Sequence, residues 1–220
     1  MPTLSNRTVL IGIASAALAF TAPLVAQNAM KTPGSPDPAR ISGGSYQVDP
    51  YHTMVGWEVD HLGITPYFGI FGNVTGTLLL DPKNPASAKV DVTIPVASVT
   101  TASAELTAHL LRAPGEEGGK PDFFGPEPAA AHFVSTAVVP TGPKDAKITG
   151  DLTLNGVTKP VTLLATFYGA GKSPPQMGGA EMVGFKATTS IMRSDFNVAG
   201  AIPLVSDEVK LNIVAAFTKE

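Results

Sequence analysis

Apolar and polar residues alternate with a period of two along most of the chain after Tyr46, and no long helical pattern interrupts them. Such alternation is typical of strands with one buried face and one solvated face. The pattern predicts eight strands, with the ranges Tyr46–Leu62, Asn73–Asp81, Ser87–Val96, His132–Val139, Lys147–Asn155, Thr158–Tyr168, Glu181–Arg193 and Glu208–Thr218. Eight antiparallel strands with one dry face fit a closed barrel that can enclose one ligand.

Turn signals agree with the strand pattern. Asn155 and Gly156 lie between two alternating runs, and Asn-Gly is the strongest short hairpin signal because both central residues need a positive φ. Pro160, just inside the next strand, removes one backbone donor and indicates a strand edge or a bulge at that point.

One short stretch, TASAELTAHLLR at residues 101–112, has a helical pattern. Leu106, His109 and Leu110 would share one face, and Thr101 or Ser103 could cap the first turn. We therefore predict an all-β fold: an eight-stranded antiparallel barrel with one short helix in the long connection between the third and fourth strands.

The first 45 residues have a different composition. A polar start, Met1–Arg7, precedes a 12-residue apolar run at 9–20, and small residues lead to a cleavage point after Ala26. This is the layout of a secretory signal, and the run is too short to span a bilayer. We predict a signal peptide at 1–26, a flexible Pro-, Gly- and Ser-rich leader at 27–45 and a barrel domain at 46–220.

Composition excludes several functions. The chain has no cysteine, which excludes disulfides, thiolate metal ligands and a cysteine nucleophile. The net charge is -3 and no basic cluster occurs, which argues against nucleic-acid binding. The sequence has no HExxH, no GxSxG and no Gly-rich phosphate loop followed by a helix, so we predict no metal site and no catalytic residues.

Two charged or titratable side chains share the parity of the inward rows. His61 continues the row of Trp57 and is either a buried neutral imidazole at the barrel mouth or a polar contact for a ligand. Arg193 either pairs with a buried carboxylate, such as Asp195 or Asp49, or binds an anionic headgroup, for which its forked donors are suited. His52 has the opposite parity and is expected to make a local hydrogen bond.

Several longer motifs resemble the YceI family. They are YQVDPYHTMVGWEVDHLG followed by FGIFGNVTGTLLLD, then ASVTT, HLL, DFF, FVSTAV, GDLTLNGVTKPVTL and RSDF, in the order that the family has them. The resemblance covers nearly everything from Tyr46 to Glu220. It implies a lipocalin-like barrel and an exported, periplasmic protein that holds a polyisoprenoid chain, of a prenyl quinone or a prenyl carrier, in an elongated apolar tunnel.

The resemblance and the parity of the strands together give a set of expected ligand-binding residues, in the tunnel or at its mouth. They are Val55, Trp57, Val59, His61, Phe71, Val92, Ile94, Leu163, Phe167, Phe185, Ile191, Arg193 and Ile213. We expect no cofactor other than the bound lipid. Transient contact with a membrane and a homodimer formed through the strand edge carrying Pro160 are further expectations.

The chain also departs from the family pattern. Leu106-Thr107 stands where members tend to have Arg-Asp, EEGGKP precedes the DFF motif, and Asn197 replaces a usual glycine. These departures bear on the headgroup preference more than on the fold.

Two other classes of function stay open from the sequence. One is an envelope hydrolase or isomerase that acts on a small apolar substrate in the same cavity, with His61 as its base. The other is a packed barrel that acts through its surface in stress or assembly. We expect a binding protein without a catalytic step.

Overall fold

The computed structural model describes residues 32–116 and 118–220. In this part of the chain the strands form one antiparallel sheet that closes into a barrel. The strands are β1 Gly44–Val48, β2 Met54–His61, β3 Thr65–Phe71, β4 Thr75–Leu80, β5 Lys89–Ile94, β6 Thr100–Thr101, β7 Ala131–Pro140, β8 Asp145–Leu154, β9 Val157–Lys172, β10 Glu181–Met192 and β11 Glu208–Lys219, and the helix α1 is Ala104–Leu110.

The barrel wall consists of eight strands, three of which are interrupted. The order around the wall is β1-β4-β5-β7-β8-β9-β10-β11, and β11 pairs again with β1. β2 continues β1, because both strands pair with β11. β3 continues β4 and β6 continues β5, because β3 pairs with β2 and β6 pairs with β3. The predicted eight-stranded antiparallel barrel with one short helix is therefore confirmed.

The first predicted strand, Tyr46–Leu62, was expected to be continuous, and that expectation is wrong. The ladder stops after Val48 and resumes at Met54. Within the break, the buried Thr53 uses its hydroxyl as a substitute for strand pairing. Its Oγ1 accepts a hydrogen bond from Ala216 N at 3.0 Å and donates to Ala216 O at 3.1 Å. The side chain thus keeps the two strands together where the backbone leaves the ladder.

The sequence pattern did not predict β3 as a strand. Pro66, Gly69 and Gly72 are typical of turns and hide the alternation in this segment. Its pairing with β2 is nevertheless complete from Val55–Phe71 to His61–Thr65.

Three local predictions agree with the structure. Ser103 caps α1, and its Oγ accepts from Leu106 N at 3.3 Å. Asn155 and Gly156 have φ values of 49° and 76° in the β8–β9 turn, as the hairpin requires. Pro160 lies on an open edge, because β10 pairs with β9 only from Leu164 onward.

The two ends of the barrel differ in packing. The lower end, where β1 begins and β9 ends, contains the main cluster of buried side chains, which consists of Tyr46, Val48, Val74, Leu78, Leu80, Phe167, Ala170, Val183 and Phe217. The upper end carries the β2–β3 turn, α1 and the connection 193–207. No helix in the described part of the chain is both long enough and apolar enough to cross a membrane.

Part of the expected flexible leader lies against the barrel. Ser35 forms a β-bridge with Ala170 of β9, and residues 38–40 form a 3-10 turn. For residues 32–45 the structure therefore differs from the expectation, which rested on composition alone. Residues 27–31 and the predicted signal peptide 1–26 lie outside the described residues.

Candidate ligand-binding cavity

A cavity of about 880 Å³ runs inside the barrel from the lower end to the upper end. Its wall is almost entirely apolar, because every wall strand turns Val, Leu, Ile, Ala or Phe inward. Pockets for small molecules in proteins usually measure roughly 300 to 1,000 Å³. The sequence alone could not distinguish a packed interior from a tunnel, and in the structure the interior is hollow.

All of the candidate residues from the sequence lie on the wall of this cavity. They are Val55, Trp57, Val59, His61, Phe71, Val92, Ile94, Leu163, Phe167, Phe185, Ile191, Arg193 and Ile213. For all of them except Arg193, which follows the end of β10, this placement follows from strand parity, because alternate residues of a strand point to the same face. That they contact a ligand remains a prediction.

Small side chains meet on one part of the cavity wall. Ala165 of β9 pairs with Ala146 of β8 on one side and with Ala187 of β10 on the other, and all three face the interior. A row of methyl groups across three strands leaves space that larger side chains would fill.

Aromatic rings line the lower part of the cavity and one side of its middle. Phe185 makes edge-to-face contacts with Phe167 at 5.8 Å and with Phe217 at 6.2 Å between ring centroids. Trp57 lies over Gly69, where an added Cβ would stand 2.2 Å from the indole ring. The Trp57 Nε1 atom is buried and has no hydrogen-bond partner among the described residues. Because a Cβ at position 69 would collide with the indole, Gly69 is required for the packing of Trp57.

The mouth at the upper end is formed by α1 and by the segment that follows it. Leu106, His109 and Leu110 of α1 face the cavity, together with Phe123 and Phe124. These two phenylalanines belong to the DFF motif, which the sequence showed only as part of a resemblance. Their distance from any strand meant that parity could not assign them to the interior.

A polar cluster sits beside these rings. The Asp122 carboxylate lies 2.9 Å from His109 Nε2 and accepts from Arg112 Nη2 at 2.8 Å. The hydrogen bond with His109, followed by the one from Arg112, holds the pKa of Asp122 below its usual value. Gly200, in the connection 193–207, packs on the main chain of Asp122, and an added Cβ at Gly200 would stand 1.9 Å from the Asp122 main-chain oxygen. The two upper connections are thus in direct contact.

Arg193 makes no ion pair with Asp195 or Asp49, and the expectation of such a pair is wrong. Asp195 instead accepts from Lys159 at 2.6 Å, and Asp49 lies 2.6 Å from His52 Nδ1. The strand β10 ends at Met192, and Arg193 opens a 3-10 turn in which its guanidinium donates to main-chain carbonyls instead.

The buried guanidinium of Arg193 is held by main-chain carbonyls. Its nitrogen atoms donate to Val198 O at 2.7 Å and to Gly200 O, Val205 O and Ser206 O at 2.8 Å each. Burial lowers the pKa of Arg193, and the charge of Asp207 opposes that shift. With four N–H groups engaged in this way, the side chain fixes the 197–207 connection and has little capacity left for a headgroup.

The four histidines have separate environments. His61 is exposed at the mouth, so the expectation of a buried imidazole is wrong, and its place at the end of β2 explains the exposure. His52 makes the expected local bond with Asp49, and His132 lies 2.7 Å from Asp91. Within residues 32–116 and 118–220, no group of three or more His, Cys, Asp or Glu side chains could hold a metal ion.

Comparison with known proteins identifies the family. A family model for the YceI-like domain matches residues 46–217. The chain belongs to the YceI family. Protein YceI of Escherichia coli O17:K52:H18 is 42% identical over 171 residues, which cover 76% of this chain and 83% of that protein.

Solved structures of similar proteins have the same barrel. BcnA of Burkholderia cenocepacia is 25% identical, with a TM-score of 0.61, and the match covers 77% of this chain and 98% of BcnA. A polyisoprenoid binding domain from Saccharophagus degradans, implicated in plant cell wall breakdown, matches with a TM-score of 0.56 over 80% of this chain and 98% of that domain. Its identity is 11%, so this likeness shows the fold alone.

The structure locates two departures from the YceI pattern. Leu106 lies at the mouth of the cavity, where it adds an apolar side chain in place of a polar one. Asn197 has a φ of 59° at the end of the 3-10 turn, a conformation that asparagine and glycine adopt more readily than other residues. The first departure changes the chemistry of the mouth, whereas the second preserves the local backbone.

Proposed function

We propose that this YceI-family protein binds and carries a long-chain polyisoprenoid lipid, of a prenyl quinone or a prenyl carrier, in the barrel cavity without a catalytic step. The observation that carries the proposal is the cavity of about 880 Å³ with an apolar wall along the length of the barrel. The polyisoprenoid binding domain of Saccharophagus degradans has the same fold, which agrees with this use of the interior.

Burial against the apolar wall of the cavity favours the binding of such a ligand. Each buried methylene contributes roughly 0.8 kcal/mol, so a few isoprene units outweigh the cost of ordering the chain. Polar groups at the mouth would orient the headgroup. Neither His61 nor Tyr67, which both line the cavity, uses its side chain in a hydrogen bond within the described part of the chain. The donors of Arg193 are largely engaged, so His61 and Tyr67 are the proposed headgroup contacts.

The proposal includes export and exchange with a membrane. The signal predicted at 1–26 would direct the protein across the inner membrane to the periplasm. Exposed aliphatic side chains surround the mouth, and we define Leu62, Ile64, Ile202 and Leu204 as the mouth rim. Leu62 N donates to Leu204 O at 2.7 Å, so two connections present one apolar surface. Contact of this rim with a bilayer would let an apolar chain pass without crossing water.

Mass spectrometry of lipids extracted from the mature protein, purified from its native envelope, tests the proposal. We expect a polyprenyl species in stoichiometric amount. A protein that is empty, and that also fails to bind added prenyl quinones, would contradict the proposal and favour a function at the outer surface. Turnover that is abolished by His61→Gln would instead indicate the envelope hydrolase or isomerase.

A matched pair of variants tests whether the lipid occupies the interior. Ala165→Trp should place an indole ring inside the cavity and reduce prenyl quinone binding at least about tenfold, because the ring occupies the ligand's volume. Leu164→Trp places the same ring on the outer face of the same strand, where the leucine is exposed. We expect Leu164→Trp to bind like the unmodified protein, as measured by quinone titration. Equal binding by both variants would show that the lipid does not lie in the cavity.

A further inference from the structure

The segment 32–43, which we call the N-terminal strap, lies outside the residues matched by the family model, 46–217, yet it completes the lower end of the barrel. The ladder between β8 and β9 ends at Asp145–Thr166, so one edge of β9 is open below that point. The strap occupies this edge. Ser35 N donates to Ala170 O at 3.0 Å, and Ala170 N donates to Ser35 O at 2.9 Å.

Side-chain hydrogen bonds hold the strap at both of its ends. Arg40 Nη1 donates to Pro33 O at 2.7 Å and to Ser35 Oγ at 3.2 Å, which folds the strap on itself. Ser42 donates to the Glu181 carboxylate from its nitrogen at 2.9 Å and from its hydroxyl at 2.6 Å. The same carboxylate accepts from the hydroxyl of Tyr46 at 2.6 Å, so the end of the strap is linked to the buried core.

Glycines of β9 allow the close approach of the strap. An added Cβ at Gly171 would stand 2.4 Å from Pro33 O, and one at Gly169 would stand 3.1 Å from Ser35 O. Since real Cβ atoms do not approach oxygen within 2.4 Å, any side chain at Gly171 would displace the strap.

The strap contributes to the wall of the cavity. Pro38 and Ile41 line the cavity, and Ile41 packs against the buried cluster of the lower end. Other prolines also line the cavity: Pro82 and Pro85 from the connection between β4 and β5, Pro140 at the end of β7, and Pro143 in the connection that follows. Proline has no N–H group, so these positions present apolar rings and no backbone donor to the cavity.

We propose that the N-terminal strap closes the lower end of the cavity and sets the longest isoprenoid chain that the protein accepts. Ile41 is the specificity-determining side chain, because it stands where the end of an extended ligand would meet the wall. This inference rests on the proposed function, since it concerns the length of the same ligand.

Two variants of the full chain test the strap by different routes. Ile41→Ala shortens the side chain that faces the cavity, and Gly171→Ala displaces the strap without altering a cavity-lining residue. Gly72→Ala is the matched control, because an added Cβ at Gly72 meets no atom within 4 Å. Each protein is titrated with prenyl quinones that differ only in the number of isoprene units, and thermal unfolding verifies that each is folded.

We expect the unmodified protein and Gly72→Ala to share one length limit, and Ile41→Ala and Gly171→Ala to accept longer chains. Because each further buried methylene strengthens binding roughly fourfold, the affinity for the first quinone beyond the limit should rise at least about tenfold. If Gly171→Ala fails to fold, the length limit of Ile41→Ala alone tests whether the strap sets ligand length.

Three results would overturn the inference. An unchanged limit in folded Ile41→Ala would show that the strap does not set ligand length. A shift in Gly72→Ala equal to that in Gly171→Ala would show that the effect does not come from the strap. Absence of binding by the unmodified protein at every length would contradict the proposed function, and the inference would fall with it.

Discussion

The two ends of the barrel are held together in different ways. At the lower end, hydrogen bonds to one carboxylate join the strap, β1 and β10 beside the buried core. At the upper end, one cation binds the main-chain carbonyls of a single connection. Glu181 accepts hydrogen bonds from Ser42 and Tyr46 below. Arg193 donates to four carbonyls above. The lower arrangement joins the strap to the wall, and the upper one holds a mouth with exposed apolar side chains.

The electrostatics of the two ends also differ. Burial favours the neutral form of Glu181, but hydrogen bonds from Ser42 and Tyr46 outweigh burial and lower its pKa. At the upper end, hydrogen bonds from Ser194 lower the pKa of Asp207. Both carboxylates therefore stabilise the fold above the usual carboxyl pKa, and that contribution is lost as pH falls through their lowered values. Polar contacts at the two ends thus differ in kind, because an acceptor carboxylate joins separate elements at the lower end and a donor guanidinium holds one connection at the upper end.

The largest effect is expected from removing the cation of the upper end. Arg193→Met leaves the carbonyls of the 197–207 connection without their donor in a buried site, and we expect a loss of about 3–5 kcal/mol in the free energy of unfolding. Lys159→Met removes an exposed cation that pairs with Asp195, and should cost less than about 1 kcal/mol. Urea unfolding measures both. Similar losses in the two variants would show that Arg193 does not hold the mouth.

A smaller effect, dependent on pH, is expected at the lower end. Burial, and then the hydrogen bond to Glu181, raise the pKa of Tyr46 from 10.0 to about 12. The neutral phenol is therefore favoured in the folded state. Its contribution is complete below pH 10 and is lost as pH rises from 10 to about 12. Such a shift corresponds to roughly 2–3 kcal/mol.

Tyr46→Phe should remove this alkaline loss, as measured by the free energy of unfolding across that pH range. Tyr51→Phe is the control, because the Tyr51 side chain is 90% exposed. A pH dependence that is the same in both variants and in the unmodified protein would contradict the assignment to Tyr46.

The smallest effect on stability is expected at the mouth rim. Leu62→Ser with Leu204→Ser should change the free energy of unfolding by no more than about 1 kcal/mol, because both side chains are exposed. Transfer of a prenyl quinone from vesicles to the protein should nevertheless slow several-fold. Leu79→Ser with Leu164→Ser makes the same change on the outer wall. Equal transfer rates in the two double variants would exclude the rim as the membrane contact.

Much of the fold followed from local patterns in the sequence. The parity of the strands put Val55, Trp57 and Val59 on one face, and the turn chemistry of Asn155-Gly156 fixed a hairpin register. The break at Thr53 could not be predicted in this way, because its partner, Ala216, is 163 residues away in the chain. The strand β3 was missed because Gly69 is typical of a turn in the sequence. Its place in a strand is explained only by the indole of Trp57, which packs over it from the neighbouring strand.

The sequence by itself determined the number of wall strands and which of their residues face inward, because a strand repeats every two residues wherever it lies in the fold. Only the tertiary structure decided that the interior is hollow, that Arg193 binds carbonyls and that the strap joins the wall. Those features depend on side-chain volumes and on hydrogen-bond partners brought together by closure of the barrel, and neither is encoded in the spacing of residues along one strand.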